Sequence, residues 1–440
     1  MRARARESGN VMRLLNLEEV TCGMRLGEAV RGARGQTLLA RGVVITQAYI
    51  DTLRSLDMPA VYVTDAETAN IEFPHPVRPE TRARVLRDVA QTFDALSEAT
   101  EQFRLSSMDL GDQNLDREKL ARAVSSSGAP DCLYTVAKDV DFLLDELGNL
   151  EVLTGPNSIK SPDLYLFQHS VDVAIMGLVL GRRARWDRAR LRAFGMGCLL
   201  HEVGKVLIEP ALLSRTATLT AEQFERLKAH TVVGYEIIRA LSPRMGSLAP
   251  QVAYQHHERH DGSGYPRGLK GSHRLGENTP GLIHDFGAVA AVADVYDAMA
   301  SHRPYRRAMP VDEVVETIKS YGGNQLSAEA VRIFLATVPP YPVCSQVVVN
   351  GGMYAGYRGV VTKVPAQALA RPVVRVLYDC KGARVEPFEL HLESDSELKV
   401  SSVKIDGPTV HSLGSLPRVQ APPKPAYAIP EAVLRMLKAG

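Results

Sequence analysis

Apolar residues recur at helical spacing through the middle of the chain and at strand spacing towards both ends. Between residues 131 and 338, stretches at 164–180, 188–201, 221–240, 248–258, 288–300, 311–321 and 328–336 set apolar side chains three and four apart, which predicts a series of helices. Thr220 stands ahead of the third stretch with Gln223 three residues on, a pair suited to capping free backbone N–H groups. Upstream, residues 12–70 combine short strand-like runs at 37–39 and 61–63 with glycines at 23, 27, 32, 35 and 42. There, 45–56 reads as a short amphipathic helix carried by Ile45, Tyr49, Ile50, Leu53 and Leu56. Residues 71–130 open on Pro74, Pro76 and Pro79, which favour an extended linker with His75 in solvent, and continue as a charged helix over 81–105. The SSSGAP run at 125–130 is a further break. β-branched runs at 346–350, 359–364 and 373–379 predict a small β module over 339–405, followed by a Pro-rich extended tail at 406–440. The fold class that follows is multidomain and mainly α, a helical bundle at 131–338 between a small α+β module and a small β module.

Composition changes this picture little. The 440 residues are 45% apolar and 23% charged with net charge +2, ordinary values for a soluble globular chain. So small a charge argues against a polymer of nucleic acid as the partner. The best candidate for a membrane span, 171–180, is far short of the roughly 18 residues required, and no apolar core follows the basic start. A cytoplasmic location is therefore expected. Cys22, Cys132, Cys198, Cys344 and Cys380 lie far apart, without metal-ligand spacing or a disulfide framework.

Histidine distribution does change the picture. Seven of the twelve lie between 201 and 284, and His169 stands on a helix just upstream. His201-Glu202 closes a small, apolar helix surface, a costly place for uncompensated charge, and a metal relieves that cost. Lys205 falls four residues after His201, where a continuing helix would turn it to the same side, towards an anionic substrate. His256 and His257 would diverge by about 100° on one helix, so two ions about 3.5–4 Å apart would each take one. Asp261-Gly262-Ser263-Gly264 then turns the chain, and Pro266 extends Tyr265 so that its ring is offered as a stacking platform.

The runs HEVGK at 201–205 and HHERHDGSGYPRGLKG at 256–271 together resemble the HD-GYP family of cyclic di-GMP phosphodiesterases. Segments at 168–171, 219–236, 291–298 and 303–306 are similar to the family as well, so the resemblance covers about 200 residues. It implies an all-helical HD-type bundle with two divalent transition metals, iron or manganese foremost. His169, His201, Glu202, His230, His256, His257 and Asp294 would be the ligands. Lys205, Arg303 and Arg306 would meet substrate phosphates, Asp297 would support those basic groups, and Gly264, Tyr265 and Pro266 would shape the nucleotide pocket. The implied reaction is hydrolysis of cyclic di-GMP to linear pGpG, and on to GMP, in bacterial second-messenger signalling. The other readings are a cyclic di-GMP sensor acting through protein partners and a general HD nucleotide phosphohydrolase. The residues 12–70 resemble a segment found ahead of some HD-GYP domains, implying a regulatory or dimerising role.

The chain departs from the family at three points. Glu202 stands for the HD aspartate, moving the carboxylate by roughly 1–1.5 Å. Tyr165 stands one turn before His169, where some members carry a glutamate for a third metal, so two metals are expected. His260 takes the place of an aromatic residue at the pocket edge. His284-Asp285 imitates an HD pair without its following Gly-Lys and is read as a non-ligand, and Asp172 as a polar helix contact.

Overall fold

The computed structural model describes residues 10–31, 37–55, 58, 60–69, 74–103, 116–155, 165–213, 219–241, 248–301 and 308–403. The Pro-rich tail expected at 406–440 lies outside the described residues. In the N-terminal module, β1 (Asn10–Asn16), β2 (Arg25–Leu26) and β5 (Ala60–Ala69) form an antiparallel sheet in the order β1-β5-β2, beside a hairpin of β3 (Val30–Arg31) and β4 (Thr37–Leu39). Helix α1 (Gln47–Ser55) buries Ile50 and Leu53 in the module's core with Leu26, Ile45, Val61 and Val63. Tyr49, one turn before Leu53, stays exposed at the edge of that face.

The helical unit runs through α2 (Pro79–Thr100), α3 (Arg117–Ser125), α4 (Ala129–Leu147), α5 (Tyr165–Arg183), α6 (Arg188–Leu200), α7 (Pro210–Leu213), α8 (Ala221–Leu241), α9 (Pro250–Gln255), α10 (Asp285–Ala300), α11 (Val311–Tyr321) and α12 (Ala328–Leu335). One hydrophobic core joins these helices, α7 excepted, from Val85 and Val89 of α2 to Phe334 of α12. The charged helix of the linker region thus contributes Leu86, Phe93 and Leu96, and α3 contributes Leu120 and Val124. A charged outer face hid an apolar inner one. Thr220 and Gln223 form the reciprocal cap: Gln223 N–H donates to Thr220 Oγ1 at 3.2 Å and Thr220 N–H to Gln223 Oε1 at 3.0 Å. No helix among the described residues is long and apolar enough to cross a membrane.

Helix α5 is the axis of the unit. Its middle residues, from Val171 to Gly181, are buried on nearly all sides, and it packs against α6 and α10. Helix α2 lies along α5 and reaches the turn that follows α6. Its Arg82 pairs with Asp172, one turn beyond His169 on α5. His75, at the approach to α2, is not a solvated linker residue: its Nε2 lies 3.4 Å from Glu28 Oε2 of the N-terminal module.

The C-terminal module is a five-stranded antiparallel sheet of β6 (Gln346–Asn350), β7 (Arg358–Lys363), β8 (Val373–Tyr378), β9 (Arg384–His391) and β10 (Lys399–Ser402), ordered β10-β6-β7-β8-β9. Alternation buries Val347, Val349, Val374 and Val376 on one face. Tyr62 of β5 packs into this same core beside Val343 and Cys344, so the two small modules touch.

One buried charge cluster lies away from the histidines. Asp139 of α4 is buried next to Asp88 of α2, with Arg84 Nε donating to its Oδ1 at 2.9 Å. Burial first, and then the Asp88 charge, push its carboxyl up to about 7. The native state therefore holds a proton that the unfolded chain releases near pH 4, and stability falls as pH rises from there through about 7. Asp139→Asn is expected to abolish that fall and to melt about 2–4 °C above wild type at pH 8. Melting curves at pH 5.5 and pH 8 are the check; equal pH slopes for the two proteins would refute it.

Candidate metal centre

Five stretches of chain bring the histidines and acids together. His169 is on the first turns of α5. Helix α6 ends at Leu200, so His201 is its C-cap, Glu202 follows, and residues Val203–Leu207 tighten into a 3-10 turn. Gly204 makes this turn possible. A Cβ there would lie 2.0 Å from the His230 carbonyl oxygen, so only glycine lets the His201-Glu202 corner close onto α8. His230 comes from that contact, Asp294 and Asp297 from α10, and His256 and His257 from the chain leaving α9.

The donors form two groups. His169, His201 and Glu202 are one, and His230, His256 and His257 the other, with ligand atoms within 4.8 Å of one another in each. Two acids join the groups. Glu202 places Oε2 3.5 Å from His230 Nε2 and Oε1 4.0 Å from His169 Nε2. Asp294 places Oδ1 3.2 Å from His169 Nε2 and Oδ2 3.9 Å from His257 Nδ1. The seven residues read as ligands from the sequence thus converge. The helix expected over 248–258 stops at Gln255 with His256 as its C-cap, and the His256 and His257 ring centroids lie 4.0 Å apart. His256 also faces His201, with ring centroids 4.8 Å apart.

Ring orientation is set by the other nitrogen of each ring. Nδ1 of His201 meets the Cys198 carbonyl at 2.7 Å, Nδ1 of His230 the Leu227 carbonyl at 2.5 Å, and Nδ1 of His256 the Val252 and Ala253 carbonyls at 3.0 Å. Each contact turns Nε2 inwards. His169 gives Nδ1 to Asp297 Oδ2 at 2.6 Å instead. Asp297 therefore supports a metal-facing histidine, a partnership 128 residues apart in sequence that no local motif announces. Asp297→Asn is expected to weaken metal binding by about 10–100-fold. Equilibrium dialysis against Mn²⁺ tests this, and an unchanged affinity would remove the role.

The electrostatics suit cations. Burial lowers His201 and His256, His230 to about 4 and His257 to about 3, so these rings are neutral donors at pH 7. Burial works against the charge on Glu202, but Lys205 and then His230 hold its carboxyl well below the usual range. Asp294 is held low in the same way, against burial and chiefly by His169. His169 itself is raised: burial opposes its charge, but Asp294 and Asp297 outweigh burial. A cation at Nε2 would take the place of that proton. The donor set fits metal ions on a further count. His201 Nε2 and Glu202 Oε2 are buried with no hydrogen-bond partner among the described residues, a state that costs stability unless something coordinates them.

The remaining expected site residues fall into place unevenly. Lys205 does not project along a continued helix; the 3-10 turn brings its Nζ to Glu202 Oε1 at 2.5 Å. Tyr265 is not an open platform. It is buried, and its ring lies against His257 with centroids 4.8 Å apart. Arg303 and Arg306 lie outside the described residues. Tyr165 stacks on His169 with centroids 5.7 Å apart and planes 9° apart. His260 borders a small cavity with Glu258, Gly271 and Gln325. His284 accepts from Phe286 N–H as the N-cap of α10, and Asp285 pairs with Arg190. Glu258 was missed, although it stands inside the quoted motif. It is buried, and its two oxygens accept from the N–H groups of Arg267 and Leu269, each at 2.8 Å.

Residues 158–329 match the HD domain family. A cyclic di-GMP phosphodiesterase of Thermotoga maritima is 33% identical over 195 residues, 44% of this chain and 49% of that protein. Cyclic di-GMP phosphodiesterase PA4108 of Pseudomonas aeruginosa is 29% identical over 54% of this chain and 55% of its own length. The 3′3′-cGAMP-specific phosphodiesterase 3 of Vibrio cholerae is 33% identical over 36% of this chain and 31% of its own. The chain thus spans about half the length, or less, of these relatives. The HD domain match at 158–329 lies in the same region of the chain as the metal centre, and these relatives are phosphodiesterases of cyclic dinucleotides.

Proposed function

We infer that this chain is a metal-dependent phosphodiesterase that opens cyclic di-GMP to linear pGpG and carries it on to GMP. The observation that carries this reading is the pair of buried donor groups joined by Glu202 and Asp294. Two divalent transition metals, iron or manganese, would be held by His169, His201 and Glu202 and by His230, His256 and His257, with Asp294 between them. Bound there, they would supply acidified water and a polarised phosphate oxygen. The protein's own part is positional and electrostatic. Glu202 keeps its charge, neutral imidazoles keep their lone pairs inwards, and Lys205 sits beside Glu202 at the edge of the centre. Lys205, with Arg303 and Arg306, would meet the substrate phosphates, the planar guanidinium forks pairing with phosphate oxygens. In the net reaction water forms a P–O bond, the bond to the ribose oxygen breaks, and that oxygen leaves with a proton. Asp297 serves by orienting His169. Gly264, Tyr265 and Pro266 bound the nucleotide pocket. The setting is bacterial second-messenger signalling in the cytoplasm. The terminal modules would serve a homodimer or a signalling partner.

The test is an assay of the purified chain loaded with Mn²⁺ or Fe²⁺ against cyclic di-GMP, 3′3′-cGAMP and simple nucleotide phosphoesters. Release of pGpG from cyclic di-GMP is the expected result. Binding without release, restored by Glu202→Asp, would make the chain a sensor. Equal turnover of every phosphoester would make it a general phosphohydrolase.

A further inference from the structure

The geometry points to a second role for the turn at 264–266: it positions the metal ligand His257 and so assembles the second donor group. This rests on reading the site as a two-metal centre. His201, His230 and His256 take their ring orientation from carbonyls in the last turn or two before them. His257 follows the end of α9 and directs Nδ1 at Asp294 Oδ2, 3.9 Å away. Against the ring of His257 lies the turn itself. Tyr265 N–H donates to the His257 carbonyl at 3.1 Å, and the Tyr265 ring packs on the imidazole at 4.8 Å with a tilt of 32°. One residue's backbone and side chain thus hold both ends of His257.

The turn is itself fixed from outside. Phe224 of α8 meets the Tyr265 ring edge-on at 6.0 Å, and the buried Lys228 ammonium stands 5.7 Å from its centroid. Glu258, the residue after His257, ties down the returning limb of the loop through Arg267 N–H and Leu269 N–H. Gly264 is required by close approach. A Cβ there would stand 2.2 Å from Arg259 N and 2.5 Å from Glu258 Cα. Any larger residue would push the loop off the segment that carries His257. The glycine, the tyrosine and the acid of this motif therefore share one mechanical task, and its load is a metal ligand.

Metal binding, not turnover, is the readout. Each variant is stripped, dialysed against graded Mn²⁺, and its bound metal measured by mass spectrometry, with circular dichroism and melting to confirm folding. Tyr265→Ala is expected to keep one ion near wild-type affinity and to weaken the other by about 10–100-fold, while Tyr265→Phe, which keeps the ring, binds both as wild type does. Glu258→Gln, which keeps one acceptor and reverses the other, should weaken the same ion several-fold even if Tyr265→Ala fails to fold. Two ions bound at wild-type affinity by folded Tyr265→Ala or by Glu258→Gln would overturn the proposal and return the tyrosine to substrate contact alone. A wild-type chain that bound two ions and cleaved no cyclic dinucleotide would refute the functional reading and leave the metal-binding comparison intact.

Discussion

The substitution Glu202→Gln will lower cyclic di-GMP turnover by about a hundredfold or more while leaving the helical content unchanged. Glu202 is the acid that both donor groups share: Oε2 faces His230 at 3.5 Å and Oε1 faces His169 at 4.0 Å. Its charge is sustained against burial chiefly by the Lys205 ammonium. Glutamine keeps the shape and removes the charge, so two cations would face neutral ligands where a carboxylate had bound them. Losses of that size are usual when a preorganised charge is removed from a water-poor site. The extra methylene raised the prospect of a misplaced carboxylate. Its two oxygens nonetheless lie between the donor groups, one towards His230 and one towards His169. Steady-state rates at saturating Mn²⁺, with circular dichroism, decide the matter. A Glu202→Gln enzyme working at near wild-type rate would remove the bridge from the mechanism.

Stripping the metals is expected to abolish turnover and to lower the melting temperature by about 5–10 °C, both reversed by Mn²⁺. A ligand at a hundred times its dissociation constant stabilises the native state by about 2.7 kcal/mol. For a cooperative unit of about 150–250 residues, the size of the helical unit that holds the site, one kcal/mol moves the midpoint by about 2–4 °C. The expectation follows from what the centre contains. His201 Nε2 and Glu202 Oε2 are buried without hydrogen-bond partners among the described residues, and four neutral imidazoles crowd beside two carboxylates. Cations remove those costs only in the folded chain. Melting curves with chelator, and then with excess Mn²⁺, measure the effect; coincident curves would show that no ion is held.

Of the candidate ligands, His201-Glu202 and His256-His257 were legible from residue chemistry, while His169, His230 and Asp294 came only through the family resemblance. An acid and a histidine at the end of an apolar helix, or two histidines in a row ahead of a glycine-rich turn, have few inexpensive structural explanations. The helix at Val311–Tyr321 was legible to the residue, since Pro310 and Gly322 mark its ends. What could not be read was tertiary. Leu120 and Val124 are the two buried residues of a nine-residue helix, too few to show a period among charges. Partnerships such as Asp297 with His169 depend on α10 lying against α5. Tyr265 looked exposed because a turn before proline usually is. It is covered by α8 and by the ligand it abuts. The helix predicted through 258 ends at Gln255 with His256 as its C-cap, an end that no proline or glycine in the sequence marks.

Tyr62 carries a consequence for how the chain is made. It shares one buried core with Val343, Cys344, Val347 and Val361, residues that leave the ribosome about 280 or more residues after it does. Until then the N-terminal module carries an uncovered aromatic ring on the central strand of its sheet. Truncating the protein after the helical unit would leave that ring permanently in water, an adhesive spot on an otherwise complete domain.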